Sequence, residues 1–177
     1  MSETEPTDAE LLEILIAPHP TLRARARSVA PGELDAIRAL LPAMYATMYK
    51  APGIGLAAPQ IGQSRRFAIV DVADGDERRP ITLINPEIVA RSESLAVHEE
   101  GCLSIPDIYA EITRPEHVTV RYLDEQGAAQ TLSADGLLGV CLQHEIDHLD
   151  GVLFVDHLSA LKRNMLMRKL AKNLKGR

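Results

Sequence analysis

CLQHEIDHLDG, residues 141–151, sets His144 and His148 four positions apart with Glu145 beside the first. On an α-helix, residues four apart project from one face with Cβ atoms ~5–6 Å apart, so two imidazoles there can converge on one metal ion. Glu145 then stands on the adjacent flank, where it can handle the proton of a water at that ion without being a ligand, which is the chemistry of an HExxH pattern. The competing reading is two half-buried histidines bonded to backbone carbonyls, since the pattern also turns up in unrelated chains. Asp135 or Ser133 is placed to cap the start of this helix, and Gly151 stands where it would end.

Downstream, Lys162, Arg163, Arg168, Lys169, Lys172, Lys175 and Arg177 follow Asp156 with no acid among them, whereas Glu3, Glu5, Asp8, Glu10 and Glu13 make the start acidic. Leu158, Leu161, Met165, Leu170 and Leu174 recur at roughly helical spacing, so the tail reads as an amphipathic helix with one face on the body. Its positive face suits an anionic partner as well as it suits solvent near a helix C-terminus.

Upstream, the period is two. RFAIVDV (66–72) and ITLINPEIVA (81–90) predict strands joined by a polar turn, and HVTVRYL (117–123) with AQTLSA (129–134) repeats the arrangement. Hairpins imply antiparallel sheet, and helices segregated from hairpins imply the α+β class. Between the hairpins lies EEGCLSIP (99–106), in which Cys102, flanked by Gly101 and closed by Pro106, is held on a turn that can aim its sulfur inward. Two imidazoles, one thiolate and a water would make a four-coordinate site with an open position. Cys141, three residues before His144 on the same helix face, is a rival ligand, or a small buried hydrophobe.

APGIGLAAPQIGQ (51–63) carries too much Gly and Pro for regular structure and too many apolar residues for a simple solvent loop. Gly53, Gly55 and Gly62 bring backbone close to something, either a ligand or a neighbouring strand. The stretch lacks the Lys of a phosphate loop and the third Gly of a dinucleotide fingerprint. Gln60, set among its apolar residues, is an uncharged side chain able to donate and accept while buried. From Glu33 to about Tyr49, Leu34, Ile37, Leu41, Met44 and Met48 fit a helix that Pro42 should kink or divide. Residues 1–10 read as a flexible terminus, residues 11–156 as one catalytic domain and residues 157–177 as a basic amphipathic helix packed on it.

The 177 residues suit a single core, built with no Trp and two Phe mainly from aliphatic side chains and Met. A net charge of −6 argues against a general nucleic-acid binder, DNA included. No apolar run approaches the ~20 residues of a membrane span, and the acidic start lacks a secretory pattern, so the expectation is a cytoplasmic protein without a membrane partner. In a reducing compartment the two cysteines are ligands, nucleophiles or core residues rather than a disulfide. A zinc-dependent endopeptidase is the alternative activity. Its long motif wants a Gly three residues after the second His and a third His three further on; Gly151 fits, but the last position is Phe154 and His157 is out of register. A purely structural metal module is the non-enzymatic alternative, yet such sites are usually closed by four protein ligands, which leaves Glu145 and Gln60 without a purpose.

GIGLAAPQ (53–60), EGCLS (100–104) and QHEIDHLDG (143–151) resemble, in order and separation, the three signature motifs of the peptide deformylases. The resemblance extends from about Ile14 to the C-terminal helix. It implies small antiparallel sheets around a central metal-bearing helix, with an N-terminal helix and a C-terminal amphipathic helix. The activity it implies is removal of the formyl group from the N-terminal formyl-methionine of nascent polypeptides. The cofactor implied is one divalent metal ion, usually ferrous iron, which zinc, nickel or cobalt can replace. It makes Cys102, His144 and His148 the ligands and puts Cys141 in the pocket wall. Glu145 becomes the proton carrier, and the Gln60 amide and the Leu103 backbone N–H become oxyanion donors. The peptide would lie as an added strand beside residues 53 to 55 and the segment after Cys102, with Gly53, Gly55, Glu100, Gly101 and Tyr109 on the substrate side. Its methionine would enter a pocket of Ile54, Leu137, Val140, Cys141 and His144. Several family members carry an Arg where this chain has Tyr109. The basic C-terminal helix resembles the one by which some bacterial members dock near the ribosomal exit tunnel, and rRNA would suit its charge.

Overall fold

The computed structural model describes residues 10–176; the terminus expected to be flexible lies, for residues 1–9, outside them. Seven strands and three α-helices follow one another as α1 (Leu34–Lys50), β1 (Gly55–Ala57), β2 (Phe67–Asp71), β3 (Pro80–Arg91), β4 (Leu95–Cys102), β5 (Ile105–Pro115), β6 (Val118–Leu123), β7 (Ala129–Ala134), α2 (Gly136–Leu149) and α3 (Ala160–Lys175). Strands β1-β2-β3-β6-β7 form a five-stranded antiparallel sheet, and β4 with β5 forms a separate two-stranded one. This is the α+β architecture expected, with α2 at its centre.

Strand β2, FAIVD, is buried at every position because both faces of the sheet are covered. Phe67 and Ile69 join Ile37, Leu41, Met44 and Met48 of α1, while Val70 turns to the other side with Leu83, Val118, Val120 and the α2 residues Cys141, Leu142 and Ile146. A third cluster packs Ile105, Ile108, Ala110 and Ile112 of β5 against Leu153, Phe154, Val155 and Leu170. Helix α2 therefore has the sheet on one side and the β4–β5 hairpin on the other, and the space between the two is where its polar face can act.

Several expectations need correction. Helix α1 runs unbroken through Pro42. The proline is exposed and so is Arg38, whose carbonyl loses the amide it would have received, so water can satisfy it there. The Gly- and Pro-rich stretch is partly regular: residues of β1 pair with β2, and the 3-10 turn Ala58–Ile61 follows at once. Asp135 occupies the capping position of α2, but its side chain makes no capping hydrogen bond and lies 3.6 Å from His117 Nδ1 instead. The helix ends as expected, with Gly151 at φ 75, where a Cβ would stand 2.5 Å from the Arg23 carbonyl oxygen. In α3 the packed residues are Leu166, Met167, Leu170 and Leu174, with Leu158 just before the helix, whereas Leu161 and Met165 are 78% and 58% exposed. The apolar spacing was right for a helix and wrong in phase for those two residues.

Candidate active site and metal centre

Helix α2 carries Cys141, His144, Glu145 and His148 on its buried side, the two i, i+4 pairs lying edge to edge. The imidazoles of His144 and His148 are 5.0 Å apart between centroids. Cys102 arrives from the other sheet: β4 breaks register at Gly101 and Cys102, and the chain reverses immediately into β5, which leaves the sulfur facing α2. The Sγ atom lies 3.3 Å from His148 Nε2. Among the described residues, Cys102, His144 and His148 form one group whose ligand atoms all lie within 4.8 Å of one another. A thiolate and an imidazole on the same tetrahedral ion, at bond lengths of ~2.3 and ~2.0 Å, stand ~3.5 Å apart, so the donor set fits a divalent metal.

The rest of the site agrees. His144 Nδ1 donates to Glu100 Oε1 at 2.9 Å, which leaves the Nε2 lone pair available to an ion. Glu100 is held in turn by a bidentate Arg114, Nε to Oε2 at 2.7 Å and Nη2 to Oε1 at 3.0 Å. Burial opposes the charge on Glu100, but the hydrogen bonds from His144 and Arg114 outweigh it and hold the carboxyl at about 2. Glu145 behaves oppositely: burial pushes it up to about 7, only partly countered by His144. Its Oε1 is buried without a hydrogen-bond partner among the described residues, and the residue is 4% exposed. Burial, with the negative charge of Glu145 and Glu100, also pushes the Cys141 thiol well up, so this sulfur stays protonated and contacts the Ile54 carbonyl at 3.6 Å rather than joining the cluster.

Gln60 sits on the 3-10 turn Ala58–Ile61 with its amide fixed at both ends. Its Oε1 accepts from the Ala57 amide at 2.9 Å, and its Nε2 donates to Ser104 Oγ at 3.0 Å and lies 3.6 Å from Cys102 Sγ. A cavity of about 700 Å³ opens over these groups. Gly53, Ile54, Gly55, Glu100, Gly101, Tyr109, Leu137, Val140 and Cys141 all line it, together with Gln60, Cys102, Leu103, His144 and Glu145. The carboxylate of Glu100 is committed to His144 and Arg114, so toward a ligand in the cavity this residue offers backbone rather than charge.

A family model described as polypeptide deformylase matches residues 11–164. The peptide deformylase of Agrobacterium fabrum is 52% identical over 160 residues, covering 90% of this chain and 94% of that protein. Peptide deformylase 2 of Xanthomonas campestris is 54% identical over 164 residues, covering 92% and 95%. The chain belongs to the peptide deformylase family. The crystal structure of a peptide deformylase from Legionella pneumophila superposes with a TM-score of 0.87 at 45% identity, over 95% of this chain and 99% of that one. The deformylase fold explains why three short, distant motifs converge: they are the edge strand β1 with its following turn, the β4–β5 reversal and α2, the three walls of one cleft.

Four residues of the site escaped sequence reasoning. Arg114 lies twelve residues beyond Cys102 on β5, in phase with the buried Ile108, Ala110 and Ile112, so the strand's alternation was the available signal. Ser104, which receives Gln60, belongs to the quoted EGCLS motif. Asp147, between the two histidines of the pattern, accepts from Arg114 Nη1 at 2.9 Å. Phe154, noted only for not being a histidine, stacks on His144 with centroids 6.1 Å apart and planes at 24°.

Proposed function

We propose that this chain is a metal-dependent hydrolase that removes the N-formyl group from the formyl-methionine of nascent polypeptides and releases formate. The observation that carries this reading is the partnerless Oε1 of Glu145 buried beside a Cys-His-His donor set. Cys102, His144 and His148 would hold a divalent ion, which would supply Lewis acidity to the reaction. Glu145, poised near neutrality, accepts the proton of the attacking water and delivers it to the departing amine as the C–N bond breaks. The fixed Gln60 Nε2 and the Leu103 N–H donate to the oxygen on which negative charge develops. The peptide adds as a strand beside residues 53 to 55, with its methionine among Ile54, Leu137, Val140 and Cys141. Residues 11–156 are read as the catalytic unit. Ferrous iron beside the Cys102 thiolate would be sensitive to air, and zinc, nickel or cobalt would be able to replace it.

Family membership does not favour the endopeptidase reading, and Phe154, at the place of that motif's third histidine, lies stacked on His144 instead. Helix α3 supports a docking role near the ribosomal exit tunnel: Leu161, Met165, Arg168, Lys172 and Lys175 fall at helical spacing on one exposed stripe. No helix of the described residues is long and apolar enough to cross a membrane, which suits a cytoplasmic enzyme.

Glu145→Ala tests the chemistry. Metal content stays near the wild-type level and formate release from a formyl-Met peptide is lost; loss of metal instead would assign Glu145 a different role. Arg168→Glu with Lys172→Glu tests docking, with reduced co-sedimentation with ribosomes expected and unchanged sedimentation contradicting it.

A further inference from the structure

The 3-10 turn Phe154–His157, which links α2 to α3, touches the metal ligand His144 by two routes. One is direct, the stacked ring of Phe154. The other is a chain of hydrogen bonds. His157 Nε2 lies 2.8 Å from Asp147 Oδ2, an oxygen that also accepts from Arg114 Nη1 at 2.9 Å. Arg114 grips both oxygens of Glu100, and Glu100 Oε1 holds His144 Nδ1.

The tautomer of His157 follows from these contacts. Asp147 Oδ2 can only accept, so the 2.8 Å approach requires a proton on His157 Nε2. The 3.4 Å separation between His157 Nε2 and Arg114 Nη1 is then that of two donors meeting on one oxygen. His157 thus keeps Asp147 turned toward Arg114. Arg114 is buried, and its Nη1 has Asp147 as its carboxylate partner. Without His157, Asp147 can rotate to water, since its side chain is 25% exposed, and the guanidinium loses the restraint that aims its other edge at Glu100.

We propose that His157 is a positioning residue for the metal ligand His144, acting through Asp147, Arg114 and Glu100. The inference rests on the metal site proposed above and extends it to a side chain that touches neither metal nor substrate. Outer partners of a metal-binding His fix its ring and tautomer, and their loss typically costs about 10–100-fold in metal affinity or activity. The low end is expected for a residue acting through three others.

The test uses the full chain loaded with Co²⁺ as wild type, His157→Ala, His157→Gln and Ile37→Val, the last a conservative change in the α1 core remote from the relay. Thiolate-to-cobalt and ligand-field absorption, the rate of Co²⁺ release to a chelator, and kcat and KM on a formyl-Met peptide are recorded. His157→Ala should shift the ligand-field bands, release cobalt about 10-fold faster and lower kcat with KM unchanged. His157→Gln, whose amide can still donate to Asp147, should restore all three, and Ile37→Val should match wild type. A His157→Ala spectrum and release rate equal to wild type, failure of Gln to restore them, or equally fast release from Ile37→Val would each overturn the proposal. A wild type that takes up no cobalt would overturn the ligand set itself.

Discussion

A Cβ at residue 55 would stand 2.4 Å from Glu145 Oε2 and 2.9 Å from Cys141 Sγ, so the bare backbone of Gly55 is what lets the carboxylate occupy its place. Gly55→Ala should displace Glu145 by the better part of an ångström and reduce kcat on a formyl-Met peptide by about 10²-fold with metal content unchanged. Gly53→Ala is the contrast: its Cβ would meet only the end of the Leu103 side chain at 2.8 Å, which can turn aside, and kcat should fall far less. Steady-state kinetics on the two variants separate these outcomes. Tyr109 stands 61% exposed at the cavity rim with its ring over Gly101, at the position where the motif resemblance puts an Arg in several family members. Tyr109→Arg should lower KM for formylated peptides and leave kcat unchanged. Much of the site was legible at this scale because Cys, His, Glu and Gln declare chemistry by type and spacing. The choice between Cys102 and Cys141 was not legible from spacing alone, since both are within reach of a ligand on α2; it turns on which sulfur the β4–β5 reversal points at the histidines.

The β4–β5 hairpin as a unit was not foreseen, although β5 alternates cleanly between buried and exposed positions. Arg114 occupies one of the buried phases, and a charge there disguises the strand's inner face. That Arg is one of the hairpin's ties to α2, and removing one partner of a buried, hydrogen-bonded ion pair typically costs about 3–5 kcal/mol, because the other charge is left uncompensated. Arg114→Met should lose stability on that scale in denaturant melts. The same element governs acid sensitivity. With Glu100 depressed from 4.5 to about 2, its contribution is fully present above pH 4.5 and is lost as the pH falls toward 2. Arg114→Met, which removes much of that depression, should move the acid-unfolding midpoint upward; an unmoved midpoint would show that other carboxylates set it. Helix α1 running through Pro42 and the phase of α3 were also beyond sequence reasoning, because each depends on which side of the helix meets the body.

Across the described residues, the apolar clusters pack α2 between the two sheets, and a lined cavity lies on its polar side. The antiparallel hairpins β2–β3 and β6–β7 were readable from period-two runs and polar turns, and the helix from its histidine spacing and the closing Gly151. How two sheets straddle that helix was not, since nothing local in a strand records which sheet it joins. The central claim is that Cys102 and the two α2 histidines hold a working metal over a formyl-Met site. Its most direct test is formate release from a formyl-Met peptide by anaerobically purified protein, with metal content determined on the same samples and with Cys102→Ser and Cys141→Ser in parallel. Wild type and Cys141→Ser should bind about one equivalent of divalent metal and release formate, while Cys102→Ser should lose both. Formate-free wild type at full metal content, or activity lost with Cys141→Ser and kept with Cys102→Ser, would contradict the account.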